Sequence, residues 1–162
     1  MAAFLAAAAM SGCGGSEEPA ETVAAPPPTI ELPTKLLGLD VATEDIQASL
    51  VEGAEQPFVD SVGLFAFREE ADLLQATLQV SRFTREARPE DGGFRGAIVS
   101  RIGGTNPRKA RVGEDQVFVT TGQNQNLFIW FEEQGFFVLT VRNDYLFPRT
   151  LLRRLLELGI SL

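Results

Sequence analysis

Two neighbouring strings, "NLFIWFEE" (126–133) and "GFFVLTVRN" (135–143), are apolar at both strand parities. In the first, Leu127, Ile129 and Phe131 fall on one side and Phe128 and Trp130 on the other. The second repeats this, with Phe136 and Val138 opposed to Phe137, Leu139 and Val141. Successive strand side chains point to opposite faces, so a strand that is apolar at both parities must be covered on both faces. Helices can supply that cover, or one face can meet a ligand, a lipid or a partner protein. Burial is the usual fate of such side chains, so a central strand pair inside a helix-covered sheet is the expectation.

The flanking segments extend the sheet. "SVGLFAF" (61–67) and "LLQATLQVSRF" (73–83) enclose the polar turn 68–72 and predict an antiparallel hairpin. In the second string Ala76, Leu78 and Val80 alternate with Gln75, Thr77, Gln79 and Ser81, which predicts one buried and one wet face. "QVFVTTG" (116–122) adds another strand, and the turn from Glu132 to Gly135 joins the apolar pair, with Gly135 free to take positive φ.

Three helices are expected around this sheet. "TEDIQASLVEG" offers Thr43 as an N-cap and places Ile46 and Leu50 at i, i+4, which predicts a short helix at 43–52. "EDGGFRGAIVSRIGG" (90–104) puts Phe94, Ala97, Ile98 and Ile102 on one stripe and ends in two glycines. "FPRTLLRRLLELG" carries Leu151, Leu152, Leu155 and Leu156 on one side, with Arg149, Arg153 and Arg154 away from it. The expected fold is therefore α+β: an antiparallel sheet of about five or six strands packed with about three helices, the last one amphipathic.

The chain has 162 residues, enough for one domain with a substantial core. Its net charge of −8 is unevenly spread. Residues 1–57 hold nine acids and one base, whereas residues 58–162 hold thirteen of each. The body thus has no global field to recruit nucleic acid. Histidine is absent and Cys13 is the only cysteine, which excludes Ser-His-Asp and Cys-His catalysis, the usual zinc sites and an intrachain disulfide.

At the N-terminus, "AAFLAAAAM" (2–10) is too short to span a bilayer, for which about 18 or more apolar residues are needed, but has the length of a signal-peptide core. Met10-Ser11-Gly12-Cys13 follows it and resembles the lipobox of bacterial lipoproteins. That resemblance implies removal of residues 1–12 as a signal peptide and a lipid, palmitate among its chains, on Cys13. No Lys or Arg precedes the apolar run, an absence that a start upstream of Met1 would explain. Residues 13–35 read as the lipidated cysteine and an acidic, proline-rich tether, and 36–162 as a single globular domain. "LLQATLQVSRF" and "FPRTLLRRLLEL" are also similar to segments of uncharacterised bacterial envelope proteins, which implies no particular activity.

Few residues suggest chemistry. Gly92, Gly93 and Gly96 lack the spacing of a phosphate-binding loop. The pairs Glu69–Glu70, Glu90–Asp91, Glu114–Asp115 and Glu132–Glu133 could do acid–base work or bind calcium, but they fall where solvated turns are expected. Segment 82–111 holds eight bases against three acids; with only Phe83 and Phe94 interleaved, it reads as a solvated set and not as a nucleic-acid surface. The polar string "TTGQNQN" (120–126) concentrates hydroxyls and amides between two apolar strands and could hydrogen-bond a sugar or peptide. Thr120, Thr121, Gln123, Asn124, Gln125 and Asn126, with Phe128 and Trp130 nearby, are the candidate contact residues.

The expectation is an exported protein, lipid-anchored through Cys13 to the membrane of a bacterial cell envelope, with a non-enzymatic binding or accessory domain. Its partner is an envelope protein or small ligand, with no metal, cofactor or nucleic acid. An enzyme relying on carboxylates or on Tyr145 with a hydroxyl residue is one alternative. An assembly protein using an apolar sheet face is the other.

Overall fold

The computed structural model of the chain describes residues 30–46, 51, 53–104, 106–160 and 162. Cys13, the expected signal and most of the expected tether lie outside the described residues. One antiparallel sheet dominates the rest. Its eight strands are β1 (Lys35–Leu36), β2 (Leu39–Thr43), β3 (Val59–Arg68), β4 (Leu74–Phe83), β5 (Arg108–Val112), β6 (Asp115–Thr121), β7 (Gln125–Phe131) and β8 (Gly135–Arg142). Their order across the sheet is β1-β2-β3-β4-β8-β7-β6-β5. Two four-stranded meanders thus meet along the β4–β8 seam, where Leu78 faces Leu139 and Val80 faces Phe137. Each meander is followed by one helix, α1 (Gly92–Gly103) or α2 (Pro148–Glu157).

This is a sheet-rich fold, and it corrects the expected five or six strands and three helices. The helix expected at 43–52 is not formed by its described residues: Thr43 is the last residue of β2 and pairs with Phe65, and residues 44–46 are irregular. Strand pairing with β3 outweighs the local capping signal there. Two strands escaped the sequence reading at this end. Leu36 pairs with Leu39 across a two-residue turn in which Leu37 and Gly38 both have positive φ, 53° and 83°. Such a turn is normally announced by Asn-Gly, and a leucine in its first position hides it. β5 was concealed by its own charge, since Arg108, Lys109 and Arg111 leave only Ala110 and Val112 as apolar positions.

The β7–β8 pair is covered on both faces. On one face Phe128, Trp130, Phe137, Leu139 and Val141 join Leu78, Val80, Phe65 and Phe67 beneath Leu151, Leu152 and Leu155 of α2. Ile30 and Leu32, within the expected tether, also pack on this cluster. On the other face Ile129, Phe136 and Val138 meet Val51, Val59 and Ile98 and Val99 of α1. The rings of Phe83, Phe94, Phe131 and Phe136 pack against one another, Phe83 stacked on Phe131, edge-on to Phe94 and tilted to Phe136. α1 starts where the Asp91 side chain accepts from Gly93 N–H at 2.8 Å, and Gly104, at φ 72°, ends it. Arg101 of α1 forms an ion pair with Glu55, tying the helix to the segment before β3.

Two details of the expected sheet are corrected. The polar side of β4 is not wet: Gln75, Gln79 and Ser81 are all buried. β4 is an inner strand, and Gln79 meets its need by donating to Ser61 Oγ at 3.0 Å. Gly135 does not occupy the left-handed region. A Cβ there would lie 2.1 Å from the carbonyl oxygen of Ser81, so glycine is required by the close approach of β4 to β8.

Candidate functional site

The turn between β6 and β7 is held by one side chain from another part of the chain. Thr121 pairs with Asn126 to close the hairpin, and Gly122 N–H donates to Gln125 O at 2.8 Å. Asn143, just past the end of β8, then binds the turn from outside. Its Nδ2 donates to Gly122 O at 3.1 Å and to Gln123 O at 2.9 Å, and its backbone N–H donates to Asn124 O at 3.1 Å. Asn126 Nδ2 in turn donates to Asn143 Oδ1 at 2.9 Å. Each such bond contributes about 0.5–1.5 kcal/mol net, and together they fix the turn's shape.

The side chains of Gln123, Asn124 and Gln125 are left exposed. They line a cleft of about 440 Å³ together with Arg142, Asn143 and Asp144. Arg142 donates from Nε and Nη2 to the two oxygens of Asp144, at 2.9 and 2.5 Å. That pairing holds the Asp144 carboxyl below the usual aspartate value and raises the guanidinium. The cleft therefore offers amide donors and acceptors beside a fixed cation–anion pair, a set suited to a polar ligand with little net charge.

The remaining candidates lie elsewhere. Thr120 and Thr121 line a second cleft, of about 870 Å³, on the β5 side of the turn. Phe128 and Trp130 are buried in the core; Trp130 stacks on Phe137 with centroids 5.0 Å apart. They support the hairpin from below and present nothing to the turn's surface. With both faces of β7–β8 covered, the apolar surface considered for an assembly partner is not open at this pair. Cys13 is outside the described residues.

The groups considered for catalysis are placed as follows. Tyr145 is buried, edge-on to Phe147, and burial followed by the charge of Glu69 pushes its phenol above the ordinary value. Asp91 caps α1 with Glu90 just before it, Glu69–Glu70 and Glu132–Glu133 lie in the β3–β4 and β7–β8 connections, and Glu114–Asp115 spans the β5–β6 turn and the start of β6. Glu132 is shifted upward by burial and by the neighbouring Asp115. A smaller cleft of about 280 Å³ on the sheet holds Glu44 and Asp45, and there Glu44 is bonded to Arg68 at 2.7 Å. Among the described residues no group of three or more His, Cys, Asp or Glu could hold a metal ion, and no helix is long and apolar enough to cross a membrane.

Asn143 and the Arg142–Asp144 pair were not singled out from sequence. The only local signal was "RND" at the end of an apolar strand, where turn-forming residues are ordinary. Comparison of the chain with protein-family models, curated proteins and solved structures finds no match to any of them.

Proposed function

We propose that the chain is an exported lipoprotein, held to a bacterial envelope membrane by lipid on Cys13, whose sheet domain is a non-enzymatic binding or accessory module. The lipobox-like Met10–Cys13 and the acidic, proline-rich stretch behind it support the anchor. The observation that carries the binding role is the Asn143-held turn. A loop fixed before binding loses less entropy on capturing a ligand, and this one displays three free amide side chains over a cleft. Its ligand is a neutral polar molecule such as a sugar or peptide, recognised by paired donors and acceptors.

Two measurements test the two halves of this reading. Expression of the full chain in a bacterium fed an alkyne analogue of palmitate is expected to label the protein, and Cys13→Ala to abolish the label. Unlabelled protein overturns the anchor. For recognition, amide NMR spectra recorded with N-acetylated oligosaccharides and short peptides are expected to shift at residues 122–126 and 142–144. Asn143→Ala is expected to weaken that response at least severalfold by releasing the turn. Shifts confined to other surfaces, or an unaltered response in the variant, overturn the assignment.

A further inference from the structure

The amide-lined cleft is one end of a longer groove on the α1 face of the sheet. Strand register sets three small side chains in a row there: Ala66 of β3 faces Thr77 of β4, which faces Thr140 of β8. Opposed residues on neighbouring strands point to the same face, so these three form a shallow trough running across the strands. On β8 the core under α1 ends one row earlier, at Val138, and Thr77 and Thr140 are only half-buried. Gln125 and Arg142, paired with each other, follow on the same face two residues beyond Leu127 and Thr140. Two clefts occupy the trough, of about 160 Å³ and 280 Å³. The smaller shares Gln125 and Arg142 with the amide-lined cleft, and the two share Leu74 and Thr77 with each other. Gln125, Arg142 and Leu74 are exposed side chains, so they stand as sills between the three clefts and not as closed walls.

Length and chemistry select the occupant. From Gln125 on β7 to Glu44, just past β2, the groove crosses β8, β4 and β3, which is four strand spacings or about 19 Å. An extended peptide of about six residues has that reach. Among the described residues no aromatic ring lines any of the three clefts, so a sugar ring finds no flat platform. The amides of Gln123 and Gln125 and the hydroxyls of Thr77 and Thr140 instead offer donors and acceptors together, as a peptide backbone requires. Charge differs between the two ends. At the turn Arg142 is matched by Asp144. At the far end Arg68 is already shared between Glu44 and Asp72, while the exposed Asp45 forms no ion pair with a described residue. That end carries surplus negative charge, to which a lysine or arginine side chain is complementary. The chain's own residues 14–29 hold three acids and no base, so they do not match it.

We infer that the groove binds an extended peptide of about six residues, with one end at the Asn143-held turn and a basic residue at the Glu44–Asp45 end. The inference rests on the turn being a recognition site, and it narrows the ligand from a sugar or peptide to a peptide with a defined charged end.

The test uses the full chain carrying Cys13→Ala and a phage-displayed library of random hexapeptides. Bound sequences are selected, synthesised and titrated into the protein by amide NMR. The selected sequences are expected to carry lysine or arginine at one end and to shift Ala66, Thr77 and Thr140 together with residues 122–126. Thr77→Leu, which fills the trough, is expected to weaken binding about tenfold. Asp45→Lys, at an exposed residue outside the strands, is expected to weaken it about fivefold, and this arm stands even where Thr77→Leu fails to fold. Replacing the peptide's basic residue by alanine is expected to remove the effect of Asp45→Lys, and Arg153→Ala on α2 to leave binding within about twofold. Shifts confined to residues 122–126 and 142–144 overturn the groove and leave the turn standing as a recognition site. Shifts in the trough without the turn overturn both. Selection of no hexapeptide, or of sequences without a basic end, overturns the inference. So do changes at Ala66, Thr77 and Thr140 when the free protein is diluted, because a second copy then fills the groove.

Discussion

The two faces of the sheet are built on different principles. Beneath α2, apolar side chains run from Leu36 on β1 to Val117 on β6, and the covering helix meets them with a leucine stripe. Beneath α1 the core is narrower and mixes aromatic rings with buried polar groups, including Gln75, Gln79 and Ser81 of β4. Its helix has glycine at 92, 93, 96 and 103. The first face provides most of the burial that stabilises the fold. The second gives up apolar area for close approach and for polar groups, as where a Cβ on Gly103 would lie 2.8 Å from Thr120 Oγ1.

Substitutions can weigh that contrast. The largest expected effect is on the α2 face: Phe137→Ala, at a fully buried ring, should destabilise by about 3–5 kcal/mol in equilibrium urea unfolding. Ile98→Ala in α1 should fall at the low end of about 2–5 kcal/mol, and a loss exceeding that of Phe137→Ala would reverse the ranking of the faces. Gly135→Ala comes next, with a loss of about 1–3 kcal/mol, because the added methyl meets the backbone of β4. Gly96→Ala should instead stabilise by about 0.5–1 kcal/mol: a Cβ there meets nothing within 4 Å, and alanine is the better helix former. A loss at Gly96 would show that α1 needs its glycines for packing and not only at its ends.

The smallest effect concerns the amide-lined cleft. Asp144 should titrate below an ordinary aspartate by carboxyl NMR, and Arg142→Ala should return it towards that value. The direction follows from linkage. A carboxyl whose folded pKa is lowered contributes stability above its unfolded value of 3.8, and that contribution is lost as pH falls through the folded pKa. Because the pair is solvent-exposed, the change in overall stability should be slight.

How much of this was legible in sequence varied with how local its cause is. The hairpin of β3 and β4 and the run from β6 to β8 announced themselves through apolar periodicity, and α2 through its leucine stripe. The demand for cover on both faces of β7–β8 followed from parity alone. The β1–β2 hairpin did not show, because Leu37 takes a conformation that leucine rarely adopts. The wetness assigned to Gln75, Gln79 and Ser81 failed because polarity does not reveal whether a strand has neighbours on both sides. At the candidate site the amide string was visible. Asn143, which shapes it, sits at the far end of another hairpin, and its meeting with the β6–β7 turn is a product of tertiary structure.

The seam between the meanders has a kinetic consequence. Every other pairing in the sheet joins strands that are consecutive in the chain, whereas β4–β8 brings Ala76 against Val141. Hairpins can form early at low entropic cost, whereas this closure spans a long loop, so Leu139→Ala at the seam is expected to slow refolding measured by stopped-flow fluorescence. Because β4 and β8 also offer their inner edges until they meet, two chains folding at high concentration can close the seam with each other. Exchange of whole meanders between molecules is therefore the characteristic misassembly of this architecture.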